Sequence, residues 1–360
     1  MLLYLDSFDH YVTADVLEKW TTGAAGGTGS TITIQPTSGR RGSGGWRWVT
    51  GTLPSSAVGG FLRRTVTPAD ATAILGFAFR ASGVPGAAGY GIAWIDHSGS
   101  PQVTVRLNQD LTISVVRGGP AGTTLGTTSA VLTVDTYAYL ELKVMIANTG
   151  GTVTLRVNGA TVLGPVTGDT QATGSAVWTG AAIGHPSGVS NATTTTSRNV
   201  DFDDVYVGDG SGAAPWNTFL GDCRVDARVP TAPGATTGWT PSAGANWQCV
   251  DEAAPNDDTD YTTAAAVSLT DTFAAAAAAP VAGATIYGVQ HCLSVRKTDA
   301  GVCTIAPVIR HSGTDYPGAA ISPGTAYAYG LQIAATNPGT AAAWTESDFN
   351  AAEFGYSRIT

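Results

Sequence analysis

The strongest constraint on the fold is the alternation of apolar and polar residues that runs through residues 90–157. The segments that carry it are YGIAWI (90–95), QVTVRL (102–107), LTISVV (111–116), YLELKVMIA (139–147) and TVTLRV (152–157). A period of two is typical of strands that bury one face. Turn residues separate the segments, and the Asn158-Gly159 pair favours a type I′ hairpin. The pattern therefore predicts an antiparallel meander.

The same alternation extends toward the amino terminus and predicts the fold class. The further segments are STITIQP (30–36), GWRWVTG (45–51) and AILGFAFRA (73–81). One short helix is expected, near residues 14–20. Frequent turns and scarce helices favour an all-β fold of two tandem antiparallel β-sandwich domains. The domains are predicted at 1–207 and 218–360, because the Gly, Ser, Ala and Pro content of 208–217 indicates a linker.

Composition limits the partners of the chain. Only 12% of the 360 residues are charged, and the formal net charge is −9. Nucleic-acid binding needs clustered Lys and Arg, and adjacent basic residues occur only at Arg40-Arg41, Arg63-Arg64 and Arg296-Lys297. We expect no nucleic-acid partner. The sequence also lacks a run of about 18 apolar residues and a recognisable signal peptide, so we expect no membrane partner and no export by the general route.

The segment VDFDDVYVGDGSG (200–212) places three carboxylates close together. In a regular strand, Asp201 and Asp203 face one side, whereas Phe202, Asp204 and Tyr206 face the other. Two aspartates on one face could contribute to a calcium site, which needs about six to eight oxygens. The sequence offers no DxDxDG loop to supply the others. Structural hydrogen bonding is favoured over calcium, and calcium over catalysis, so no catalytic, cofactor-binding or metal residue is assigned.

Two further clusters have both a structural and a functional interpretation. Trp46 and Trp48 share one face of their strand, where a sandwich core is favoured over a sugar-stacking platform. DEAAPNDDTDY (251–261) could form a calcium loop, although a solvated cluster of turn residues is favoured. Asn191-Ala192-Thr193 is a glycosylation sequon that has meaning only in a secreted protein. The histidines are scattered, and GxSxG, HExxH, GxGxxG and GK[ST] motifs are missing.

All four cysteines lie in the C-terminal part of the chain. They are Cys223, Cys249, Cys292 and Cys303. They form no CxxC motif, which gives a zinc or redox site little support. Residues 286–310 are predicted to form a hairpin in which Cys292 and Cys303 lie about 13 Å apart along the strands. A disulfide allows about 7 Å between Cα atoms, so these two should not be bonded. Free thiols and a disulfide that involves one of the other cysteines both remain open.

Several segments resemble known protein families. YAYLELKVMIANTGGTVTLRVNGATV (137–162) is similar to the central strand pair of concanavalin A-like, laminin-G-type jelly rolls. VDFDDVYV (200–207) resembles their closing strand, and DSFDHY (6–11) resembles the first strand of many bacteriophage virion proteins. The resemblance implies that the first domain is a concanavalin A-like jelly roll in which the first and last strands are neighbours.

The C-terminal region resembles segments of phage minor structural proteins. The matching pieces are FLGDCRVDARVPT (219–231), WTPSAGANWQCVDE (239–252), DDTDY (257–261) and AAAWTESDFNAAEFGYSRI (341–359). The resemblance implies a virion structural protein, a capsid, neck or tail decoration or fibre, made in the cytoplasm of a host bacterium. It would act by docking on other virion proteins and is expected to be a homo-oligomer, with a trimer as the leading expectation.

A glycan-binding adhesion module for host-cell attachment is the alternative function. It predicts an exposed tryptophan beside polar residues in a concavity. The candidates are Trp46, Trp94, Trp178 and Trp216. A fully buried set of tryptophans would weaken this alternative. A glycosidase would need two carboxylates that flank one bond, and the sequence marks no such pair, so the chain is predicted not to be an enzyme and to use no cofactor.

Overall fold

The computed structural model describes residues 1–26, 29–50, 59–186, 197–280 and 283–360. The sequon at 191–193 and the last residue of the GWRWVTG segment lie outside these ranges. The chain divides into two compact units, Met1–Val225 and Asp226–Thr360. Both are built almost wholly from antiparallel strands, which confirms the predicted all-β sandwich class. None of the helices in the described ranges is long and apolar enough to cross a membrane.

The first unit consists of two sheets. Its strands, within the described residues, are β1 (Leu2–Asp6), β2 (Thr22–Ala24), β3 (Thr31–Gln35), β4 (Gly45–Val49), β5 (Phe61–Thr65), β6 (Thr72–Ala81), β7 (Tyr90–His97), β8 (Ser100–Leu107), β9 (Thr112–Arg117), β10 (Thr123–Ala130), β11 (Ala138–Met145), β12 (Gly151–Val157), β13 (Ala160–Gly168), β14 (Gly180–Gly184) and β15 (Asn199–Asp209). The larger sheet has the order β13-β12-β11-β6-β15-β4-β3, with β1 on β15. The smaller sheet has the order β10-β9-β8-β7-β14-β5-β2. A 3-10 turn (Thr13–Asp15) and helix α1 (Val16–Lys19) stand where the sequence predicts the helix.

Alternation along the strands of the larger sheet produces its apolar inner face. Leu142 of β11 lies opposite Leu155 of β12 and Leu75 of β6, and all three are almost completely buried. Trp46 and Trp48 extend this face on β4 and are 1% and 0% exposed. The core interpretation of these tryptophans is therefore confirmed. Removal of such apolar area from water is the main force that holds the sheets together.

The two ends of the first unit meet at β15. β1 pairs with β15, as the resemblance implies for the first and last strands. β15 ends at Asp209, and the chain that follows remains part of the first unit as far as Val225. The residues predicted as a linker, 208–217, therefore lie within this unit, because the chain after β15 folds back onto the outer face of the larger sheet.

A β-bulge in β15 changes which side chains face outward. Asp203 lies opposite Ala78 of β6, and Tyr206 lies opposite Gly76, so β15 has one residue more than β6 over this interval. Asp204 adopts a positive φ of 50° at the bulge, a conformation that Asp tolerates better than most residues. The alternation predicted Asp204 and Tyr206 on the face of Phe202. This was wrong, because the extra residue turns Tyr206 to the outer face.

The second unit has one principal sheet and two strand pairs. Its strands, in the described residues, are β16 (Pro230–Thr237), β17 (Thr240–Pro241), β18 (Thr262–Thr263), β19 (Thr270–Ala275), β20 (Val289–Val295), β21 (Ile305–His311), β22 (Thr314–Pro317), β23 (Ala328–Ala334) and β24 (Glu353–Arg358). A 3-10 turn (Asn246–Cys249) and helix α2 (Glu346–Ala351) complete it. The principal sheet has the order β16-β19-β24-β21-β22, and β17-β18 and β20-β23 pair separately. Its core contains Phe273, Leu293, Ile305 and Tyr356.

The hairpin predicted over residues 286–310 was wrong. β20 pairs with β23, whereas β21 pairs with β24 and β22, so the two halves of the supposed hairpin lie in different sheets. Alternation identifies both strands, but it does not identify their partners. Cys292 and Cys303 are free thiols in this arrangement, and so are the other two cysteines.

Candidate functional site

The outer face of the larger sheet carries a line of side chains in register across adjacent strands. Thr33 of β3 pairs with Arg47 of β4, and Arg47 pairs with Asp201 of β15. Asp201 pairs in turn with Arg80 of β6. Tyr137 precedes β11 and lies beside Arg80. Directly paired residues of neighbouring strands point to the same side, so these five side chains form one line, the arginine row.

Asp201 holds the two guanidiniums of the arginine row in place. Arg47 donates from Nε to Asp201 Oδ1 at 2.6 Å and from Nη2 to Oδ2 at 3.2 Å. Arg80 donates from Nε and Nη2 to Oδ2 at 3.1 and 2.7 Å. The Asp201 side chain is 3% exposed, whereas those of Arg47 and Arg80 are 24% and 29% exposed. A buried carboxylate thus orients two cations that still contact solvent.

Tyr137 closes the row at the β11 end. The Arg80 guanidinium lies 4.8 Å from the centroid of the Tyr137 ring, within the range of a cation–π contact. Tyr137 Oη donates to the carbonyl of Ser38. Burial, and then the Asp201 carboxylate, raise the pKa of the Tyr137 phenol well above its usual value. The ring is therefore a neutral aromatic surface in a fixed position.

Further along the same face the chain covers the sheet with its own residues 215–225, the covering segment. Lys143 Nζ of β11 donates to the Asn217 carbonyl at 3.1 Å. The Arg156 guanidinium of β12 lies 4.3 Å from the centroid of the Phe219 ring. Side chains of the sheet thus contact both the main chain and an aromatic ring of the covering segment.

Glu141 and Tyr206 form the polar centre beneath the covering segment. Tyr206 Oη donates to Glu141 Oε1 at 2.6 Å, and Gly221 N donates to the same oxygen at 2.8 Å. Leu220 N donates to Tyr206 Oη at 3.2 Å. Burial, and then the Glu141 carboxylate, raise the pKa of Tyr206 well above its usual value. The main chain of the covering segment therefore adds one donor to Glu141 Oε1 and one to Tyr206 Oη, beyond the hydrogen bond between the two side chains.

Asp203 and Asp204 lie between the two halves of the face. Asp203 Oδ2 accepts from Arg40 N at 2.7 Å and Ser43 Oγ at 3.2 Å. Asp204 Oδ1 accepts from Val225 N at 2.7 Å, and its Oδ2 accepts from Arg40 Nε at 2.9 Å. Burial, and then the Asp204 carboxylate, raise the pKa of Asp203 to about 8. Burial also raises the pKa of Asp204, and Val225 N and the Arg40 guanidinium offset part of that effect.

These contacts bear on whether the predicted carboxylate cluster has a structural role or binds calcium. Both oxygens of Asp201 accept from guanidiniums, and both oxygens of Asp203 accept from backbone or hydroxyl donors. Across the described residues, no group of three or more His, Cys, Asp or Glu side chains is arranged to hold a metal ion. The geometry fits the structural interpretation of Asp201 and Asp203 better than the calcium interpretation.

The tryptophans proposed as sugar platforms are mostly in the core. Trp46, Trp94 and Trp178 are 1%, 2% and 1% exposed. Trp216 is half-buried and belongs to the covering segment. The prediction that a sugar stacks on Trp46, Trp94 or Trp178 is therefore wrong. A glycan-binding surface on this unit must use other side chains.

The acidic cluster of the second unit is a set of local hydrogen bonds. Asn256 Nδ2 donates to Glu252 Oε1 at 3.0 Å and to Asp260 Oδ1 at 2.6 Å. Asp258 accepts from the Arg296 guanidinium at 2.6 Å. These contacts agree with the solvated turn cluster that the sequence favours over a calcium loop.

Sequence analysis missed Arg47, Arg80 and Tyr137 as a group. Alternation places Arg47 opposite the tryptophans of its own strand, and Arg80 follows the apolar run of β6. The signal that unites them is the pairing of β4 and β6 with β15, whose residues lie more than a hundred positions away in sequence. The local pattern of a single sequence does not reveal which distant strands pair with each other.

No protein-family model matches the chain, and no curated protein matches it. Solved structures with a similar fold include an endo-β-1,4-glucuronan lyase from the fungus Trichoderma reesei, at 16% identity and a TM-score of 0.41, over 52% of this chain and 90% of that one. The alginate lyase Aly36B gives 14% identity and a TM-score of 0.41, over 57% and 96%. A Trypanosoma rangeli sialidase gives 13% identity and a TM-score of 0.31, over 45% and 27%.

These structures correct two predictions. All three are enzymes named for carbohydrate substrates, and none is a virion component. This finding contradicts the prediction of a virion structural protein, a capsid, neck or tail decoration or fibre that acts by docking, and the prediction that the chain is not an enzyme, and neither prediction is kept. The glycan-binding alternative agrees better with this finding. With TM-scores below 0.5 and identities of 16% or less, no activity is transferred from them, and function must be argued from the arginine row.

Proposed function

We propose that the first unit is a concanavalin A-like jelly roll that binds a linear glycan across the outer face of its larger sheet. The observation that carries this proposal is the arginine row, which aligns Thr33, Arg47, Asp201, Arg80 and Tyr137 in register. The two guanidiniums and the tyrosine ring keep part of their surface in contact with solvent.

The chemistry of the row suits a sugar polymer. Neighbouring strands lie about 4.8 Å apart, so polar groups recur along the row at intervals comparable to the length of one sugar ring in a chain. Guanidinium N–H groups donate to hydroxyl oxygens, and an aromatic ring offers an apolar surface to sugar C–H groups. Because Asp201 already fixes both guanidiniums, less side-chain entropy is lost when a ligand binds.

A panel of immobilised glycans tests the proposal with the full chain. We expect the wild type to bind at least one linear glycan and Tyr137→Ala to lose most of that binding. The matched control is Tyr261→Ala, which removes a tyrosine of the second unit that is 39% exposed. That variant should bind as the wild type does. Binding to no glycan, or equal binding by Tyr137→Ala and the wild type, would overturn the proposal.

A further inference from the structure

The arginine row contains more positive than negative charge. Arg47 and Arg80 share one carboxylate, Asp201. In the adjoining cluster, the guanidiniums of Arg40 and Arg41 are matched by Asp204 and Asp222. The arginine row itself therefore carries one net positive charge, in a chain whose formal net charge is −9.

Part of each guanidinium of the row is free to bind a ligand. Arg47 uses Nε and Nη2 for Asp201, and Arg80 uses the same two nitrogens for Asp201 and the Ser38 carbonyl. Within the described part of the chain, Nη1 of neither residue has a protein acceptor. The edge of a guanidinium that joins Nη1 and Nη2 matches the two oxygens of a carboxylate. Arg47 thus keeps the Nη1 side of its guanidinium for a ligand. On Arg80, Nη2 also donates to the Ser38 carbonyl at 3.4 Å, so Nη1 is the nitrogen that lacks a protein acceptor.

The two guanidiniums lie close together. Arg47 lies on β4 and Arg80 on β6, with β15 between them, and Nη2 of each donates to Asp201 Oδ2, at 3.2 and 2.7 Å. A linear polyuronate carries a carboxylate on each sugar, so it can present carboxylates to this pair of cations. Neutral sugars can use the same donors through hydroxyl groups, but they leave the excess positive charge uncompensated.

Resting on the glycan-binding function proposed above, we infer that the ligand is an acidic glycan, a chain of uronate sugars whose carboxylates bind the N–H groups of Arg47 and Arg80 that Asp201 and Ser38 leave free. Asp201 then acts as the internal carboxylate that sets the orientation of both arginines, and the ligand supplies the second carboxylate for each of them. Tyr137 bounds the row beside Arg80 and contacts the sugar ring there.

Binding measurements with matched oligomers test the inference. The probes are glucuronate, galacturonate and mannuronate oligomers of defined length, each beside the same oligomer with its carboxylates reduced to primary alcohols. We expect at least one uronate series to bind the full chain roughly tenfold more tightly than its reduced counterpart. That preference should weaken as salt is added, because an exposed charge pair is screened.

Three variants separate fork geometry from simple charge. Arg80→Gln should abolish most of the preference for the uronate, and Arg80→Lys should restore only a small part of it, because lysine retains the charge without the fork. Arg117→Gln is the matched control. Arg117 lies on β9 of the smaller sheet in a half-buried ion pair with Asp169, so its loss removes the same charge and should leave the preference intact. Thermal unfolding of each variant confirms that it is folded.

The possible outcomes distinguish this inference from the function on which it rests. Equal affinity for uronate and reduced oligomers would overturn the acidic class and leave glycan binding standing. If the chain bound neither the uronate nor the reduced oligomers, and bound no glycan of the panel, both the acidic class and the glycan-binding function would be overturned. An equal loss of uronate preference in Arg117→Gln and Arg80→Gln would show general attraction of a polyanion, and it would overturn the role of the arginine row.

Discussion

The outer face of the larger sheet has two halves that differ in what satisfies their polar groups. In the arginine row, Asp201 uses both of its oxygens, but Nη1 of Arg47 and Nη1 of Arg80 have no acceptor among the described residues. Beneath the covering segment, Glu141 and Tyr206 bond to main-chain amides of the protein itself. Under the proposed function, one half contributes stability and the other binds the ligand. Variants on the two sides should therefore separate stability from binding.

The largest expected effect is on the dependence of stability on pH. It comes from Asp203, which lies between the two halves of the face. The pKa of Asp203 is about 8 in the folded unit against 3.8 as its ordinary value. Between these pH values the folded state holds a proton that the unfolded state has released. The free energy of unfolding should therefore fall as pH rises from about 4 to about 8, by several kcal/mol in total.

Asp203→Asn tests that expectation because it removes the titrating group. The variant also weakens the acceptor for Arg40 N, so the informative quantity is the difference between the two pH profiles and not the stability at one pH. Urea unfolding, followed by hydrogen exchange in β15, should give a flatter profile for the variant. Parallel profiles would mean that Asp203 is ionised in the folded unit.

The next largest expected effect is on stability and concerns the half of the face that lies beneath the covering segment. Leu220 is 8% exposed and is the most buried side chain of the covering segment. Leu220→Ala should lower the free energy of unfolding of the first unit by about 3 kcal/mol, because a buried Leu is lost and a cavity remains. Urea-dependent hydrogen exchange in β11 measures it.

Leu17→Ala provides the control for that measurement, since Leu17 is 54% exposed and should change stability by no more than about 0.5 kcal/mol. Glycan affinity should change little in either variant. If Leu220→Ala left stability intact and abolished glycan binding, the assignment of the two halves would be reversed.

A smaller effect is expected at the centre of the arginine row. Asp201→Asn leaves two guanidiniums with one neutral acceptor, and it should cost about 2 kcal/mol in the free energy of unfolding. It should also weaken glycan binding, because Arg47 and Arg80 lose their orientation. Calorimetric titration with the glycan identified on the panel measures the second effect.

Asp169→Asn is the matched change, since it removes the acceptor of Arg117 from an ion pair in which both side chains are about one-third exposed, and it should cost less than about 1 kcal/mol. Its glycan affinity should equal that of the wild type. Unchanged glycan affinity in Asp201→Asn would contradict the orienting role of Asp201.

The smallest effect is expected for Tyr137→Phe. The variant loses the hydrogen bond from Tyr137 Oη to the Ser38 carbonyl but keeps the ring against Arg80. We expect a cost below about 1 kcal/mol in unfolding and nearly full glycan binding, in contrast to Tyr137→Ala. A large loss of binding in the Phe variant would assign the contact to the hydroxyl and not to the ring.

Local pattern was enough to predict the strands and the buried face of the first unit. The period of two identified β7, β8, β9, β11 and β12, and the Asn158-Gly159 turn joins β12 to β13 as expected. It also placed Trp46 and Trp48 in the core. These features depend on neighbours in sequence, where side-chain alternation acts directly.

Features that depend on distant pairing were not predictable in the same way. The arginine row requires β3, β4, β15, β6 and β11 to be adjacent, and the false hairpin over 286–310 arose because two true strands have partners elsewhere. Residues 208–217 were predicted as a linker because they are rich in Gly, Ser, Ala and Pro, and the rest of the covering segment, 218–225, was predicted as the start of the second domain. The position of the covering segment depends on acceptors and donors such as Glu141 and Lys143, which lie on another part of the chain.

The bulge in β15 also affects how related sequences should be aligned. Up to Asp203, odd-numbered residues of the strand face outward, and from Tyr206 onward even-numbered residues do. An ungapped alignment to a relative with a regular strand would therefore exchange inward and outward positions over half of β15. A one-residue gap placed at Asp204 or Val205 keeps the two parts in phase. A natural deletion at that point would move the Tyr206 ring into the sandwich interior, so variation in length there should accompany the loss of the covering segment.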